Sequence, residues 1–288
     1  PYYEISFNKF DIAAQILINY FPEDFRDFSI GEDQRANAER ALKELSDNGF
    51  TSIRVFSYVD SYAMIHDPAE SEKYWKGLDE LFDLCDKYGI YLEDEANIES
   101  HEYYYGDASL SHPEEWKKAH VARVMEMAHA TVNNACVVIW SLGNEAGPGN
   151  NFVEAYNALK AFDATRPVQY ERNNDIVDMG WTQGAVTGKY GIKYPFHISE
   201  YAHSMGNAVG NLIDYWEAIE STNFFCGGAI WDWVDQSMYN YEKDGTRYLA
   251  YGGNFGDTPN DGQFVMNGII FGDREPKPQY YEVKKVYQ

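Results

Sequence analysis

Cysteine is scarce in this 288-residue chain: only Cys85, Cys136 and Cys226 occur, odd in number, widely spaced and set in apolar stretches. That argues against a disulfide framework and leaves three small core residues. Long apolar runs are missing as well. None approaches the length that crosses a bilayer, and Pro1-Tyr2-Tyr3-Glu4 lacks the basic-then-apolar layout of a secretory signal. A reducing, cytoplasmic location is the expectation. Basic residues are few: 23 Lys and Arg stand against 46 Asp and Glu, a formal net charge of −23. Such a field repels phosphate backbones and anionic lipid surfaces, so neither nucleic acid nor a membrane is expected as a partner. A neutral small molecule or bound cations suit it better, although solubility alone also accounts for the acidity.

What is abundant is aromatic side chain, 16% of residues with 24 Tyr and 7 Trp. Most fill a core, but a cleft that stacks on apolar ring faces is a second use for the surplus. Short apolar runs alternate with helical windows along the whole chain. Tyr3 to Asn8, Thr51 to Ser57, Ile90 to Leu92, Cys136 to Leu142, Pro167 to Tyr170, Ile176 to Trp181, Phe196 to Glu200 and Cys226 to Trp231 read as eight strands. Between them, Ala38, Leu42 and Leu45, then Leu78, Leu81, Phe82 and Cys85, recur at helical spacing. Ser111-His112-Pro113-Glu114 has the spacing of a capping box and predicts a helix start. Eight such units without a composition break predict one closed (β/α)8 TIM barrel over residues 1–288, for which about 250 residues suffice. A doubly wound open sheet is the alternative, but no glycine-rich phosphate turn follows the first strand. The stretch Asn240 to Gly272 is long for a loop and reads as a rim insertion.

Two strand endings carry the chemistry. Val137-Val138-Ile139-Trp140-Ser141-Leu142-Gly143-Asn144 leads into Glu145, and Phe196-His197-Ile198-Ser199 leads into Glu200. Carboxylates after the fourth and seventh strands of a barrel meet at its mouth, where catalytic groups gather. Two facing carboxyl groups roughly 5–5.5 Å apart suit glycoside hydrolysis with retention, one attacking the anomeric carbon and the other protonating the leaving oxygen. Asn144 can hydrogen-bond a sugar hydroxyl, and Tyr201 and His203 can orient the nucleophile or the substrate. Glu99 and His101, two apart in extended chain, point to one side and can share a cation with Glu145 as third ligand; pairs like this are also common on surfaces. Trp231, at the end of the eighth strand, offers an aromatic platform.

Several strings together resemble the catalytic barrel of bacterial β-galactosidases of glycoside hydrolase family two. They are Asp94-Glu95-Ala96-Asn97-Ile98-Glu99-Ser100-His101, Trp140-Ser141-Leu142-Gly143-Asn144-Glu145-Ala146-Gly147, Glu200-Tyr201-Ala202-His203-Ser204-Met205-Gly206-Asn207 and Trp231-Asp232-Trp233-Val234-Asp235-Gln236. Arg166-Pro167-Val168-Gln169-Tyr170-Glu171 and Asp257-Thr258-Pro259-Asn260-Asp261 match too. The resemblance runs from about Leu81 to the C-terminus with one gap. It implies Glu145 as general acid/base and Glu200 as nucleophile. It further implies Glu99, His101 and Glu145 as magnesium ligands, and the Phe264 carbonyl and Asn267 as part of a sodium site. Asn144, His203 and Trp231 fall on substrate contacts, and the implied partner is a small-molecule β-galactoside.

Departures concentrate at strand ends. Asn8-Lys9-Phe10-Asp11-Ile12 replaces the family's Asn-Arg-His-Glu-His, and Ser57-Tyr58-Val59 follows Arg54-Val55-Phe56 where a His-Tyr-Pro turn is expected. Around Met179-Gly180-Trp181 the family's Met-Tyr pair is absent, with Trp181 near the tyrosine's place. Phe21 to Ile30 and Tyr58 to Pro68 have no family counterpart. Weakened turnover is therefore expected. A second reading is a reworked or engineered barrel scaffold or binding protein that keeps the motifs without efficient turnover. The β-sandwich domains that flank the family's barrel and join its oligomers have no match in these 288 residues, so a monomer is expected.

Overall fold

The computed structural model describes residues 2–8, 32–56, 68–100, 109–171, 177–179 and 195–288. Seven strands form one sheet: β1 (Tyr2–Asn8), β2 (Ser52–Phe56), β3 (Tyr91–Glu95), β4 (Val137–Ser141), β5 (Val168–Gln169), β6 (Phe196–Tyr201) and β7 (Phe225–Ile230). Every pairing is parallel, in the order β5-β4-β3-β2-β1-β7-β6. That order is the cyclic order of a (β/α)8 barrel opened at one seam: β6 and β7 are the seventh and eighth barrel strands and wrap back onto β1. The sixth barrel strand is represented among the described residues by Met179, which bridges Gln169 in parallel. Between Met179 and β6 the described residues do not close the cylinder.

Helices fill the crossovers: α1 (Glu32–Asp47), α2 (Pro68–Tyr88), α3 (Glu114–Thr131), α4 (Asn150–Phe162) and α5 (Leu212–Glu220), while α6 (Pro278–Tyr287) follows the last strand and packs against α5. Their apolar stripes sink into the layer outside the sheet. Leu42 and Leu45 of α1, Leu81, Phe82 and Cys85 of α2, and Trp216 and Ile219 of α5 are all buried there. A strand buried on both faces normally reads as an unbroken apolar run. Here the face turned inward is polar instead: Ser52, Arg54, Glu93, Glu95, Ser141, Gln169, His197 and Ser199 are all buried. The cysteines are free, with Cys85 and Cys136 in the core and Cys226 half-buried. Among the described residues no helix is long and apolar enough to cross a membrane.

The helix predicted from Ser111-His112-Pro113-Glu114 does begin there, and two local details are added. The capping box at Ser111 does not cap its own helix: α3 begins at Glu114 behind Pro113 without a side-chain cap. Ser111 serves the neighbouring α4, its hydroxyl accepting from the Gly149 N–H at 2.9 Å and its carbonyl from the Asn151 N–H at 3.0 Å. The Asn240 to Gly272 stretch is not a bare loop either. It takes up most of an antiparallel hairpin, β8 (Met238–Tyr241) with β9 (Arg247–Ala250), and a 3-10 turn over Gly262–Val265. The stretch Phe21 to Ile30 and all but Pro68 of the stretch Tyr58 to Pro68, with His101 and Trp181, lie outside the described residues.

Candidate active site

Arg54, in the middle of β2, organises the polar interior. Its side chain is fully buried and its guanidinium reaches four acceptors. Nη2 donates to Glu95 Oε2 at 2.6 Å and to Asn144 Oδ1 at 2.8 Å, and Nη1 donates to Glu200 Oε1 at 2.8 Å and to the Ser199 carbonyl at 3.3 Å. A planar fork of fixed donors is what such a multi-point grip requires; an ammonium would satisfy fewer of these acceptors. Glu95 is also held by the Ser141 hydroxyl at 2.6 Å. Asn144 passes the chain on, donating through Nδ2 to Glu99 Oε2 at 2.6 Å. One hydrogen-bonded string therefore links Glu200, Arg54, Asn144 and Glu99 across strands β2, β4 and β6.

Glu200 gains its place through a break in strand parity. His197 comes within 3.8 Å of Glu93, so it faces inward, and strict alternation would turn Ser199 and Tyr201 inward with it. The β6–β7 pairing shifts register between Ile198 and Tyr201. A bulge of this kind re-aims side chains. Glu200 consequently meets Arg54, while Tyr201 turns to the helical layer, where its hydroxyl accepts from Trp216 Nε1 at 2.9 Å and pairs with the Tyr287 hydroxyl. Tyr201 is a packing residue in this arrangement and does not join the Glu200 cluster.

Charge within the cluster is tuned by burial. Burial pushes the Glu200 carboxyl above its ordinary value, Arg54 holds it down, and the negative charge of Glu145 adds to the upward push. Glu95 is raised by burial and opposed by Arg54 and Ser141. Glu171 is raised well above the usual carboxylate range, chiefly by burial. A single buried guanidinium thus stands against Glu95, Glu171 and Glu200 together, and burial outweighs it at all three.

Glu145 sits on an irregular turn after β4, with φ of 40°. A non-glycine residue in this region carries on the order of 1–3 kcal/mol of strain, sustained by its surroundings. Gly143 precedes it at φ 150°, where an added Cβ would lie 2.7 Å from the Ile98 carbonyl oxygen, so the turn can approach the end of β3 only with glycine. The Asn144 N–H donates to that same carbonyl at 2.9 Å, and the Glu145 N–H donates to Glu171 Oε1 at 2.6 Å.

A second group lies along the rim. The rings of His203 and Phe264 sit 5.5 Å apart, tilted at 37°. Asn267 Nδ2 donates to the Phe264 carbonyl at 2.8 Å, and the Asn267 carbonyl accepts from the Asp232 N–H at 2.8 Å. Trp231, half-buried, is tied by its N–H to the Tyr201 carbonyl at 3.1 Å. Asn267 is 3% exposed, yet its Oδ1 has no hydrogen-bond partner among the described residues. An orphaned buried oxygen beside a carbonyl is the donor chemistry a hard monovalent cation takes. For magnesium the position is different: Glu99 accepts from Asn144 and Glu145 is the next residue in the chain, but His101 lies outside the described residues. Among the described residues no three of His, Cys, Asp and Glu are arranged to hold a metal.

The family profile of the glycosyl hydrolases family 2 TIM barrel domain matches residues 76–288. The chain belongs to this family. The β-galactosidase of Vibrio cholerae is 42% identical over 229 residues, 72% of this chain and 22% of the relative. That of Priestia megaterium is 37% identical over 292 residues, 92% of this chain and 28% of the relative. This family-two chain therefore spans about a quarter of the length of these relatives. Among solved structures it is similar to a family-two β-galacturonidase from Eisenbergiella tayi bound to galacturonate, with a TM-score of 0.62 at 17% identity over 99% of this chain and 50% of that one. A β-glucuronidase from Ruminococcus gnavus in complex with D-glucaro-d-lactam gives a TM-score of 0.61 at 15% identity over 100% of this chain and 49% of that one. At these identities the likeness is one of fold, the TIM barrel.

Three residues of this buried cluster are not singled out as functional by the sequence: Arg54, Glu95 and Glu171. For Arg54 the signal was there, a lone charge in the middle of Ser52-Ile53-Arg54-Val55-Phe56. Glu95 and Glu171 read as strand-end acids like many others.

Proposed function

We propose that this barrel is the catalytic domain of a β-galactosidase and hydrolyses terminal β-galactosides with retention of configuration. The observation that supports the reading is the Glu200 carboxylate, gripped by Arg54, whose guanidinium also holds Asn144, the residue before Glu145. Glu200 attacks the anomeric carbon while Glu145 gives its proton to the departing glycosidic oxygen. Water then attacks the glycosyl ester, and Glu145 takes the proton back. Arg54 opposes the upward push of burial on Glu200 and fixes one of its oxygens, leaving the other to face the sugar. Asn144, fixed on both sides by Arg54 and Glu99, presents its amide to a hydroxyl of the reacting sugar. His203 and Trp231 line the sugar's apolar face.

Cations enter as part of the same proposal. Glu99, Glu145 and His101 would hold magnesium, which would supply positive charge among these acidic side chains. The Phe264 carbonyl and the free Oδ1 of Asn267 would hold sodium near the sugar-binding rim. Turnover is expected to be slow, since two imidazoles that grip the sugar in the family have no counterpart in the sequence.

The test is hydrolysis of a chromogenic β-galactoside, with product stereochemistry followed by NMR and Glu200→Gln as control. The expected result is β-configured product released first, and loss of turnover in the variant. Equal rates in the two proteins would instead leave a barrel that binds without turning over.

A further inference from the structure

The turn that carries Glu145 has little regular structure of its own, and the strands on either side of it hold it by its backbone. Gly143, Glu145 and Gly147 all have positive φ, at 150°, 40° and 85°. No repeating hydrogen-bond pattern can satisfy a backbone bent in this way. Its polar groups are met from outside instead, one after another. The Asn144 N–H goes to the Ile98 carbonyl, and the Glu145 N–H goes to Glu171 Oε1 at 2.6 Å. The Ala146 N–H goes to the Tyr170 hydroxyl at 3.3 Å, and that hydroxyl donates onward to the Gly147 carbonyl at 2.8 Å. Tyr170 and Glu171 are adjacent, directly after β5, so one dipeptide of the next strand clamps three consecutive residues of the turn.

Glu171 is an expensive way to make that contact. It is 3% exposed, and its Oε2 has no hydrogen-bond partner among the described residues. Burying a carboxyl with one oxygen unmet is unfavourable wherever it occurs. Tyr170 is better provided for: it is fully buried and stacks on Phe152 with ring centroids 4.1 Å apart. The contact Glu171 makes with the turn is at the residue whose position matters most. A backbone at φ 40° determines where the Glu145 side chain emerges, and an acid must lie within hydrogen-bond reach of the oxygen it protonates.

We infer that Glu171 is a positioning residue for the acid/base step: through the Glu145 N–H it fixes the left-handed bend that aims the Glu145 carboxyl at the leaving oxygen. The inference rests on the reading of Glu145 as that acid. Glu171 itself touches no substrate and transfers no proton. What it requires is an acceptor oxygen at this one place, so glutamine serves and alanine does not.

The test combines a structural readout with a kinetic one on the 288-residue chain, comparing wild type with Glu171→Ala and Glu171→Gln. In amide hydrogen exchange, Glu171→Ala should speed exchange in the peptide spanning residues 144–147 about tenfold, and Glu171→Gln should restore protection. Peptides from α2 and β3 should be unchanged in both, which separates a local effect from poor folding. In kinetics, Glu171→Ala should lower kcat about 100-fold for an alkyl β-galactoside, whose departure needs the acid. A dinitrophenyl β-galactoside, which leaves without protonation, should be cleaved at close to the wild-type rate, with KM little changed for either substrate. Unchanged exchange in Glu171→Ala, equal damage in the alanine and glutamine variants, or equal losses on both substrates would overturn the inference. If the wild-type chain cleaves neither substrate, the hydrolytic reading fails, and exchange alone still decides whether Glu171 holds Glu145.

Discussion

Arg54 is the residue on which most of the site converges, and its removal has two separable consequences. Arg54 is buried with Glu95, so replacing it by methionine leaves carboxyl groups without their counter-charge, at a cost of about 3–5 kcal/mol. That cost depends on pH. Glu95 and Glu200 already ionise above their ordinary 4.5 in the folded protein, because burial outweighs the guanidinium. A carboxyl raised in this way penalises folding little below 4.5 and increasingly as pH rises through its folded value. Without Arg54 those values climb further. Denaturation of Arg54→Met should therefore show its largest deficit at neutral to alkaline pH and a shrinking one as pH falls toward 4.5; a deficit independent of pH would contradict this electrostatic account. In kinetics the acid limb of kcat/KM, which reports ionisation of the nucleophile, should move to higher pH. How much of this was legible beforehand differs by residue. Glu145 and Glu200 announce themselves because each ends an apolar strand, where an acid has no packing use. Glu171 and Glu95 end strands too, but which strand-end acid lies near which depends on barrel order and on a register shift in β6, and neither is written in local sequence.

At the level of elements, hydrophobic periodicity located the strands and helices well, since the apolar stripes of α1, α2 and β4 are set by burial alone. It did less well where one element borrows from another. Ser111 has the spacing of a cap for α3, and a cap is a local motif, but its hydroxyl and carbonyl end the unsatisfied N–H groups of α4 instead. The reason is steric: Gly149 brings the start of α4 so close that a Cβ there would lie 2.0 Å from the Ser111 carbonyl oxygen. This cross-cap is open to measurement. Ser111→Ala should lower stability by about 1 kcal/mol, as the loss of one buried capping bond does. Gly149→Ala should cost more, about 1–3 kcal/mol, because the backbones must part. Both are read from urea midpoints at constant slope. If the glycine variant proved the milder of the two, the close approach of these segments would be wrong. The hairpin within residues 238–250 was less legible, because its strands are short and half-exposed and so leave no strong alternation.

For the molecule as a whole, the parallel order β5-β4-β3-β2-β1-β7-β6 puts distant parts of the chain side by side, so pairing β1 with β7 closes a long loop, a contact of the kind that slows folding. That architecture followed from the alternation of strand and helix, whereas the charged lining of the barrel interior did not. The same chain carries a formal net charge of −23 at neutral pH. Self-repulsion of this size opposes compaction, and salt relieves it, since the Debye length falls to about 8 Å at 0.15 M. Potassium and sodium chloride screen alike, so the general part of any rise in melting temperature must be the same in both. A specific sodium site adds to that only in sodium, because a ligand that binds the folded state alone stabilises it by mass action. The oxygens to hold it would be the Phe264 carbonyl and Asn267 Oδ1. The melting temperature should therefore be higher in sodium chloride than in potassium chloride at equal ionic strength. Asn267→Ala should abolish that difference while keeping the shared rise, whereas Asn267→Asp, which keeps an oxygen there, should retain it. Identical melting temperatures of the wild-type chain in the two salts would leave only screening and remove sodium from the proposal.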